Sequence, residues 1–521
     1  MPTSETIDSK NIRSAGLIGV ITVISRILGL IREIVVAIFL GTSVLSDAFT
    51  LAFAFPDLFR RLFAEGALAN SFTPKFISIT KTEGPDSAGQ FAGSMALITG
   101  ITTGSICLIA IIFAPTFVKI SIGYGLIGSA LDSTILLTRI MVAYIVLISV
   151  TGIYQGILNS VSVFWVSSLT PVLLNLSIIS CALILSPHLS NPAVGFALGV
   201  ITGGLAQFLF HLPFVFKIEL KIKYKIDWSN PHLKSTIRLM IPTIFGIGVY
   251  QINILISNII ASTLETGSVA SLKFSNRLLE LIIGVFVISL ATVILPRLSN
   301  LFVDKKLDEI RNNLALALSI TWFWALPLTV GGILLAEDIV TLIYARGEFD
   351  SLSIRLTSEA FVFHLLGLCF IAGNRIFLSS FQALGLVRSM VFSGIIALVA
   401  NLCLAIILKG VIGHQGVALA TSISQLLHML ALVFFLRNQF LNRIWSLLTT
   451  KTNLASIFAT VVMLLLLYPI KNYLAGIEVS YHVNLIILIP IGVVVYFVIS
   501  YLLKNQAMIL MHKSLLRKSV G

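Results

Sequence analysis

The segment Leu485–Leu503 reads LIILIPIGVVVYFVISYLL and contains no charged side chain. An apolar run of ~18 or more residues is long enough to cross the ~30 Å hydrocarbon core of a bilayer as an α-helix. Ile282–Leu295 is similarly apolar, and comparable runs recur along the chain. Composition agrees: 57% of the 521 residues are apolar and 11% are charged, against about 45–50% and about 25% in ordinary soluble domains. So little polar surface cannot clothe several water-soluble cores. The chain reads as an all-α polytopic membrane protein, which excludes soluble, secreted and disordered classes.

Breaks in the apolar pattern place spans near 15–40, 46–78, 90–118, 134–158, 165–186, 193–216, 236–262, 274–297, 312–336, 356–383, 388–409, 413–436, 453–470 and 485–503, about fourteen transmembrane helices. The second is the least hydropathic. The net charge of +13 is concentrated in alternate connections. Lys217, Lys221, Lys223, Lys225 and Lys234 fall in one loop, Lys305, Lys306 and Arg311 in another, Arg437, Arg443 and Lys451 in a third, and Lys504, Lys513, Arg517 and Lys518 in the tail. The connections between them, such as Gly41–Ser46, Pro187–Pro192 and Ala475–His482, have no Lys or Arg. Basic loops face the cytoplasm, so both termini are expected there. The polar Met1–Arg13 runs into the first span without a small-residue cleavage site, as expected of a retained helix. The basic charge is explained by topology and membrane lipids, with no nucleic-acid partner.

Two basic connections divide the chain six spans at a time. The expected layout is an N-lobe at 1–217, a basic cytoplasmic linker at 218–235, a C-lobe at 236–437, a second linker at 438–452, a final helix pair at 453–503 and a basic tail at 504–521. The lobes echo each other faintly. Arg61-Leu62, Glu65-Gly66 and Pro74-Lys75 recur in order as Arg277-Leu278, Glu280, Gly284 and Pro296-Arg297, and Asn175 and Asn401 occupy similar places. Transporters built from internal repeats show patterns of this kind.

Charges inside the spans point to function. An arginine at the bilayer centre costs about 2.5–3.5 kcal/mol on insertion scales. Yet the first two spans hold Arg26, Arg32, Glu33, Asp47, Arg60, Arg61 and Glu65, and the eighth holds Arg277 and Glu280. Arg61 and Glu65 at i,i+4, and Arg277 and Glu280 at i,i+3, have the spacing of intrahelical pairs. Acids are nevertheless too few to match every arginine, so unpaired guanidinium groups are expected around a wet, cationic cavity. Arg26 and Arg32 stand ~240° apart around an ideal helix, and Gly29 between them would permit a bend. Pro56, just before Arg60, would break the second span where it lines the cavity. Planar guanidinium forks match phosphate oxygens, which makes a phosphate- or diphosphate-bearing ligand the expected substrate.

Ser25-Arg26-Ile27-Leu28-Gly29-Leu30-Ile31-Arg32-Glu33, Asp47-Ala48-Phe49 and Arg60-Arg61-Leu62-Phe63-Ala64-Glu65-Gly66-Ala67 through Phe72 and Pro74 closely resemble the signature of the MurJ (MviN) lipid II flippases. These belong to the multidrug/oligosaccharidyl-lipid/polysaccharide exporter superfamily. The resemblance extends to Asn276-Arg277-Leu278 and Leu295-Pro296-Arg297-Leu298-Ser299. It implies two six-helix lobes around a central cationic cavity, with two C-terminal helices forming a groove for a polyprenyl tail. It implies transfer of lipid II, the undecaprenyl-diphosphate-linked peptidoglycan precursor, from the cytoplasmic to the outer leaflet by alternating access. Residue by residue, Arg26, Arg32, Arg60, Arg277 and Asp47 match its substrate-binding positions, supported by Gly29, Pro56, Arg61, Glu65 and Glu280. This chain departs from the family at Asp57, where the family usually has Asn, and at Ala54, where a basic residue is common. The implied partners are lipid II, membrane lipids and the cell-wall synthesis machinery.

Other readings fit the residues less well. A flippase for another polyprenyl-diphosphate-linked glycan, of O-antigen or capsule type, shares the same diphosphate logic. A drug–cation antiporter would want the opposite charge sign. A membrane-embedded polyprenyl-phosphate transferase needs acids for metal or base chemistry. The acidic groups Glu337-Asp338 and Glu348 with Asp350 lie in an expected external loop without metal-ligand spacing. No catalytic residue, metal site or cofactor is expected. Cys107, Cys181, Cys369 and Cys403 read as apolar core residues, and the histidines are scattered singly. Ile237–Ala261 has no acid to hold sodium. Translocation would draw on a coupling ion or the membrane potential.

Overall fold

A computed structural model describes residues 4–63, 68–122, 125–218, 220–286, 298–304, 306–439, 449–477 and 479–510. Among these residues all regular structure is helical. The main helices are α1 (Ser4–Leu40), α2 (Val44–Leu62), α3 (Leu68–Thr82), α4 (Pro85–Ile112), α5 (Gly128–Met141), α6 (Tyr144–Ser160), α7 (Thr170–Leu185), α8 (Ala193–Phe216), α9 (Pro231–Ala261), α10 (Ser268–Phe286), α11 (Leu307–Leu334), α12 (Ala336–Tyr344), α13 (Ser351–Leu366), α14 (Leu368–Ala383), α15 (Val387–Gln439), α16 (Lys451–Gly476) and α17 (Tyr481–Leu502). Side-chain caps fix several starts. Asn230 accepts from the His232 N–H, Asp350 from Ser353 and Thr450 from Asn453, each satisfying a donor that the first helical turn leaves unpaired.

Eight helices among the described residues are long and apolar enough to cross a membrane, and α13 with α14, bent by 48°, makes a ninth candidate. Of the expected spans that fall short, two do so for the same physical reason. α2 carries Asp47, Asp57, Arg60 and Arg61, and α10 carries Lys273, Arg277 and Glu280, so charge offsets their apolar content. α15 contains two of the expected spans. Its helical geometry fails at Ile412 and at Gly413, whose φ is +58°. A Cβ on Gly416 would collide with the Leu408 carbonyl, eight positions back, a distance of ~12 Å along a straight helix. The chain therefore doubles back at this point.

One expectation about helix breaks is corrected: α2 continues as a helix through Pro56, as α1 does through Gly29. Proline removes one backbone donor and crowds the carbonyl four residues earlier. In α2 this is accommodated within a single helix, with Pro56 buried.

The chain packs as two compact units, residues 1–270 with 346–349, and residues 271–345 with 350–521. This division differs from the one expected at the basic linker, because α9, placed at the head of the C-lobe, packs with α2, α3 and α4 in the first unit. That unit is cored by Phe72, Phe76, Phe91, Met95, Tyr154 and Leu158. In the second unit, α16 and α17 pack on each other and against α11 and α12, around Phe323, Met463, Leu467, Leu488 and Tyr496. Tyr496 Oη donates to the Phe323 carbonyl at 2.6 Å. The opposite faces of this pair leave Phe458, Leu465, Ile486 and Val494 exposed, an apolar surface suited to lipid chains.

Candidate functional site

The arginines of the first unit are held by partners on three helices. On α1, Arg32 Nη1 donates to Asn175 Oδ1 of α7 at 3.2 Å, and its Nη2 reaches Glu33 Oε1 at 2.5 Å. The same Asn175 donates through Nδ2 to the Ser25 carbonyl at 3.3 Å, so one amide fixes both the Arg32 head and the α1 backbone beside Arg26. The Arg32 guanidinium also stands 5.9 Å from the Phe53 ring centroid on α2, within cation–π range. Glu33 is 1% exposed while the Arg32 side chain is 15% exposed. The carboxylate is thus sealed in and the guanidinium keeps an accessible edge.

On α2, Asp57 bridges two arginines. Its Oδ1 accepts from Arg60 Nε and Nη2 at 3.0 and 2.9 Å, and its Oδ2 from Arg61 Nε at 3.0 Å. In the second unit, Arg277 Nη1 meets Glu280 Oε2 at 3.3 Å. The expectation of unpaired cations is therefore corrected for Arg32 and Arg60, whereas Arg277 forms the i,i+3 pair with Glu280 that its spacing suggested and Arg61 pairs with an acid other than the expected one. Each has a carboxylate within four residues on its own helix, because burial of a lone guanidinium is too costly. Arg61 pairs with Asp57, and its expected partner Glu65 lies outside the described residues, as do Pro296 and Arg297. Arg26 is half-buried on α1.

Asp47 has a different setting. It is 7% exposed and accepts from the Gly267 N–H at 2.7 Å and the Ala270 N–H at 2.8 Å. Those donors belong to the first turn of α10, where backbone N–H groups lack helical partners and the helix dipole favours negative charge. Around the same corner the Glu348 N–H donates to the Ile38 carbonyl at 2.9 Å. Gly41 (φ +52°) and Gly347 (φ +60°) face the backbones of Glu348 and Ile38 so closely that a Cβ on either would collide. The α1–α2 corner is therefore latched by backbone contact to the loop entering α10 and to residues 346–349.

Sequence reasoning passed over Asp57, Glu33 and Asn175 as site-forming groups. Asp57 had a readable signal, since it stands three and four residues before Arg60 and Arg61, the spacing of helix-surface pairs. Glu33 adjoins Arg32, and neighbours on a helix point ~100° apart, so its pairing depends on local burial. Asn175 lies 143 positions from Arg32 and gives no local signal.

The family model described as lipid II flippase MurJ matches residues 36–510. The chain belongs to the MurJ family. It is 35% identical over 435 residues to the probable lipid II flippase MurJ of Vibrio cholerae serotype O1, covering 81% of this chain and 82% of that protein. It is 30% identical to the lipid II flippase MurJ of Burkholderia cenocepacia, covering 80% and 82%. Among solved structures, the lipid II flippase MurJ in an inward closed conformation superposes with a TM-score of 0.79 at 27% identity, over 93% of this chain and 98% of that one. An inward-facing multidrug resistance MATE family transporter of the MOP superfamily superposes at 0.71 with 18% identity, over 82% and 96%, a likeness of fold alone. The MurJ match includes Asp47, Asp57, Arg60 and Arg277, and begins just after Arg32.

Proposed function

We propose that this chain is a lipid II flippase of the bacterial inner membrane, with both termini cytoplasmic, carrying the diphosphate-linked headgroup from the cytoplasmic to the outer leaflet by alternating access. The observation that carries the reading is the guanidinium group of the first unit, in a chain of the MurJ family. Arg32, Arg60 and Arg61 are held by their partners with side chains 15%, 16% and 29% exposed. Glu33, Asp57 and Asn175 occupy part of each fork, and the accessible edges suit paired, charge-assisted bonds to phosphate oxygens. Arg26, on the same helix as Arg32, completes the proposed diphosphate grip within this unit. Undecaprenyl remains in lipid, and the apolar outer faces of α16 and α17 support a place for it there.

An inside-negative potential favours outward movement of an anion by ~2.3 kcal/mol per charge per 100 mV, and we assign the driving force to it.

The test is translocation of lipid II in proteoliposomes, with and without an imposed potential, comparing the parent with Arg60→Gln. Removing Arg60 leaves Asp57 paired with Arg61, so the variant keeps a neutralised carboxylate and folds. Transport is expected to fall at least tenfold. Full activity in folded Arg60→Gln would remove Arg60 from the site, and no lipid II movement by the parent would refute the flippase reading.

A further inference from the structure

The segment joining α8 to α9 has a structure that transport leaves unexplained. Residues 220–227 are non-helical and lie along α4. The Ser94 hydroxyl donates to the Lys225 carbonyl at 2.6 Å, and the Lys223 N–H points to the Gly89 carbonyl at 3.4 Å. A Cβ on Gly89 or Gly93 would collide with the carbonyl of Lys221 or Lys223, so two glycines one helical turn apart form the track in which this backbone lies. The Tyr154 and Tyr224 hydroxyls meet at 3.0 Å.

Seated in this way, the segment turns twice, the Ile222 N–H donating to the Leu220 carbonyl at 2.9 Å and the Lys225 N–H to the Lys223 carbonyl at 2.8 Å, and Tyr224 is 54% exposed. Ile218, Leu220 and Ile222 pack on the core of the first unit, whereas Lys217, Lys221, Lys223 and Lys225 are exposed. Phe216, 72% exposed, and Trp228, 60% exposed, flank the row, and Lys234 follows, also exposed. The acid at the far end, Asp227, accepts from the Ser229 N–H at 3.0 Å and from Gln90 Nε2 at 3.5 Å. Hydrogen bonds from Ser229 hold its carboxyl below the usual carboxylate range. Glu219 lies outside the described residues.

Depth follows from length. α4 has 28 residues, or ~42 Å at ~1.5 Å per residue, which exceeds the ~30 Å hydrocarbon core. The excess of ~12 Å shared between the two ends places about the first turn, residues 85–88, in the headgroup layer, next to Gly89 where the seated segment meets α4. Aromatic side chains at both ends are the usual markers of that layer.

We infer that Lys217–Trp228 is an interfacial strap whose outward lysines bind the anionic phospholipid headgroups of the cytoplasmic leaflet. A flexible basic loop would satisfy the topology rule equally well. The glycine track instead seats the segment along α4 and holds Lys221, Lys223 and Lys225 outward from it, where several phosphates can be engaged together. The strap belongs to the first unit and its binding is independent of lipid II movement.

The test uses the full-length protein in nanodiscs containing equal mole fractions of phosphatidylglycerol and phosphatidylcholine. Either lipid carries a photoactivatable group beside the headgroup, and labelled peptides are mapped by mass spectrometry. In the parent, the 217–228 peptide should take label from phosphatidylglycerol at least five-fold over phosphatidylcholine, the preference expected from about 1 kcal/mol for one surface lysine. In the variant Lys217→Gln/Lys221→Gln/Lys223→Gln/Lys225→Gln the ratio should fall to about one, while labelling of α16 and α17 stays unchanged and serves as the folding control. Equal labelling by the two lipids in the parent would overturn the inference, and so would an unchanged preference in the variant. Label from a polyprenyl diphosphate probe without phosphatidylglycerol preference would also overturn it, making the strap a landing surface for substrate.

Discussion

Replacing Asp47 should loosen the latch at the α1–α2 corner. Its carboxylate accepts from two backbone N–H groups at 2.7 and 2.8 Å. Hydrogen bonds to a charged group contribute about 1.5–3 kcal/mol each, and the α10 N-terminus adds up to ~1 kcal/mol through its dipole. Asp47→Ala therefore removes about 3–6 kcal/mol from the latched arrangement. Asp47→Asn keeps a neutral acceptor and loses about 2 kcal/mol. Those figures correspond to an increase in opening of at least ~100-fold for Ala and ~30-fold for Asn. Thr42, 8% exposed, touches Gly267 under the latch, so it reports opening when changed to Cys in a background lacking Cys107, Cys181, Cys369 and Cys403. A membrane-impermeant maleimide applied from outside should label Thr42→Cys slowly in the parent and faster in the order Asn, then Ala. Equal labelling rates across the three proteins, all folded, would show that Asp47 does not hold the corner shut.

Four further outcomes follow from the same geometry. Arg32→Ala alone strands the buried Glu33 carboxylate and should destabilise the protein by about 3–5 kcal/mol, whereas Arg32→Ala with Glu33→Ala should recover most of that loss; thermal unfolding in detergent measures both. Gly93→Val would drive a side chain into the Lys223 carbonyl and should lower thermal stability and expose residues 220–227 to protease, whereas valine at Gly104, where nothing stands within 4 Å of a Cβ, should do neither. Lys471 donates to the Leu334 carbonyl and stands 3.6 Å from Asp338, which accepts from Asn484 at 3.1 Å; Asn484→Ala should cost about 1–3 kcal/mol, read as a lower unfolding midpoint. Asp350 caps α13, and the Ser353 N–H holds its carboxyl below the ordinary value; a depressed carboxyl adds stability above its unfolded pKa of ~3.9 that is lost as pH falls through the folded value, so Asp350→Asn should remove this acid sensitivity while keeping the cap.

Much of the fold is legible in sequence because lipid leaves the backbone few choices: an apolar run without internal partners must form a helix. Leu485–Leu503 therefore corresponds to α17 almost residue for residue, and the reversal at Gly413 falls between two expected spans. The charged α2 and α10 are harder to see by hydropathy, because Asp47, Asp57, Arg60 and Arg61 in one and Lys273, Arg277 and Glu280 in the other offset their apolar content. Legibility fails where tertiary packing decides. Pro56 suggested a break and Gly29 permitted a bend, but each helix continues, because neither residue type dictates a kink once neighbours support the backbone. Asp47 was grouped with the substrate residues, yet its contacts are to backbone groups 220 and 223 positions away. α9 was assigned to the C-lobe by counting spans, and no sequence pattern reveals which neighbours it packs against.

The paired arginines need not weaken the case for an anion site, because a membrane protein must survive with that site empty. A guanidinium without a partner would be held at full desolvation cost between transport cycles. Asp57 lowers that cost for Arg60 and Arg61 together, and Glu33 lowers it for Arg32. Two carboxylates among Arg26, Arg32, Arg60 and Arg61 leave positive charge in excess, and a diphosphate supplies the matching negative charge. A neutral sugar or peptide would not. Asp57 stands where the family usually has asparagine, and it makes the resting site less positive than in such relatives. The same charge repels an arriving phosphate and offers Arg60 and Arg61 a competing partner. Binding is then weaker and release correspondingly easier, which suits a carrier that must let its ligand go on the far side of the membrane.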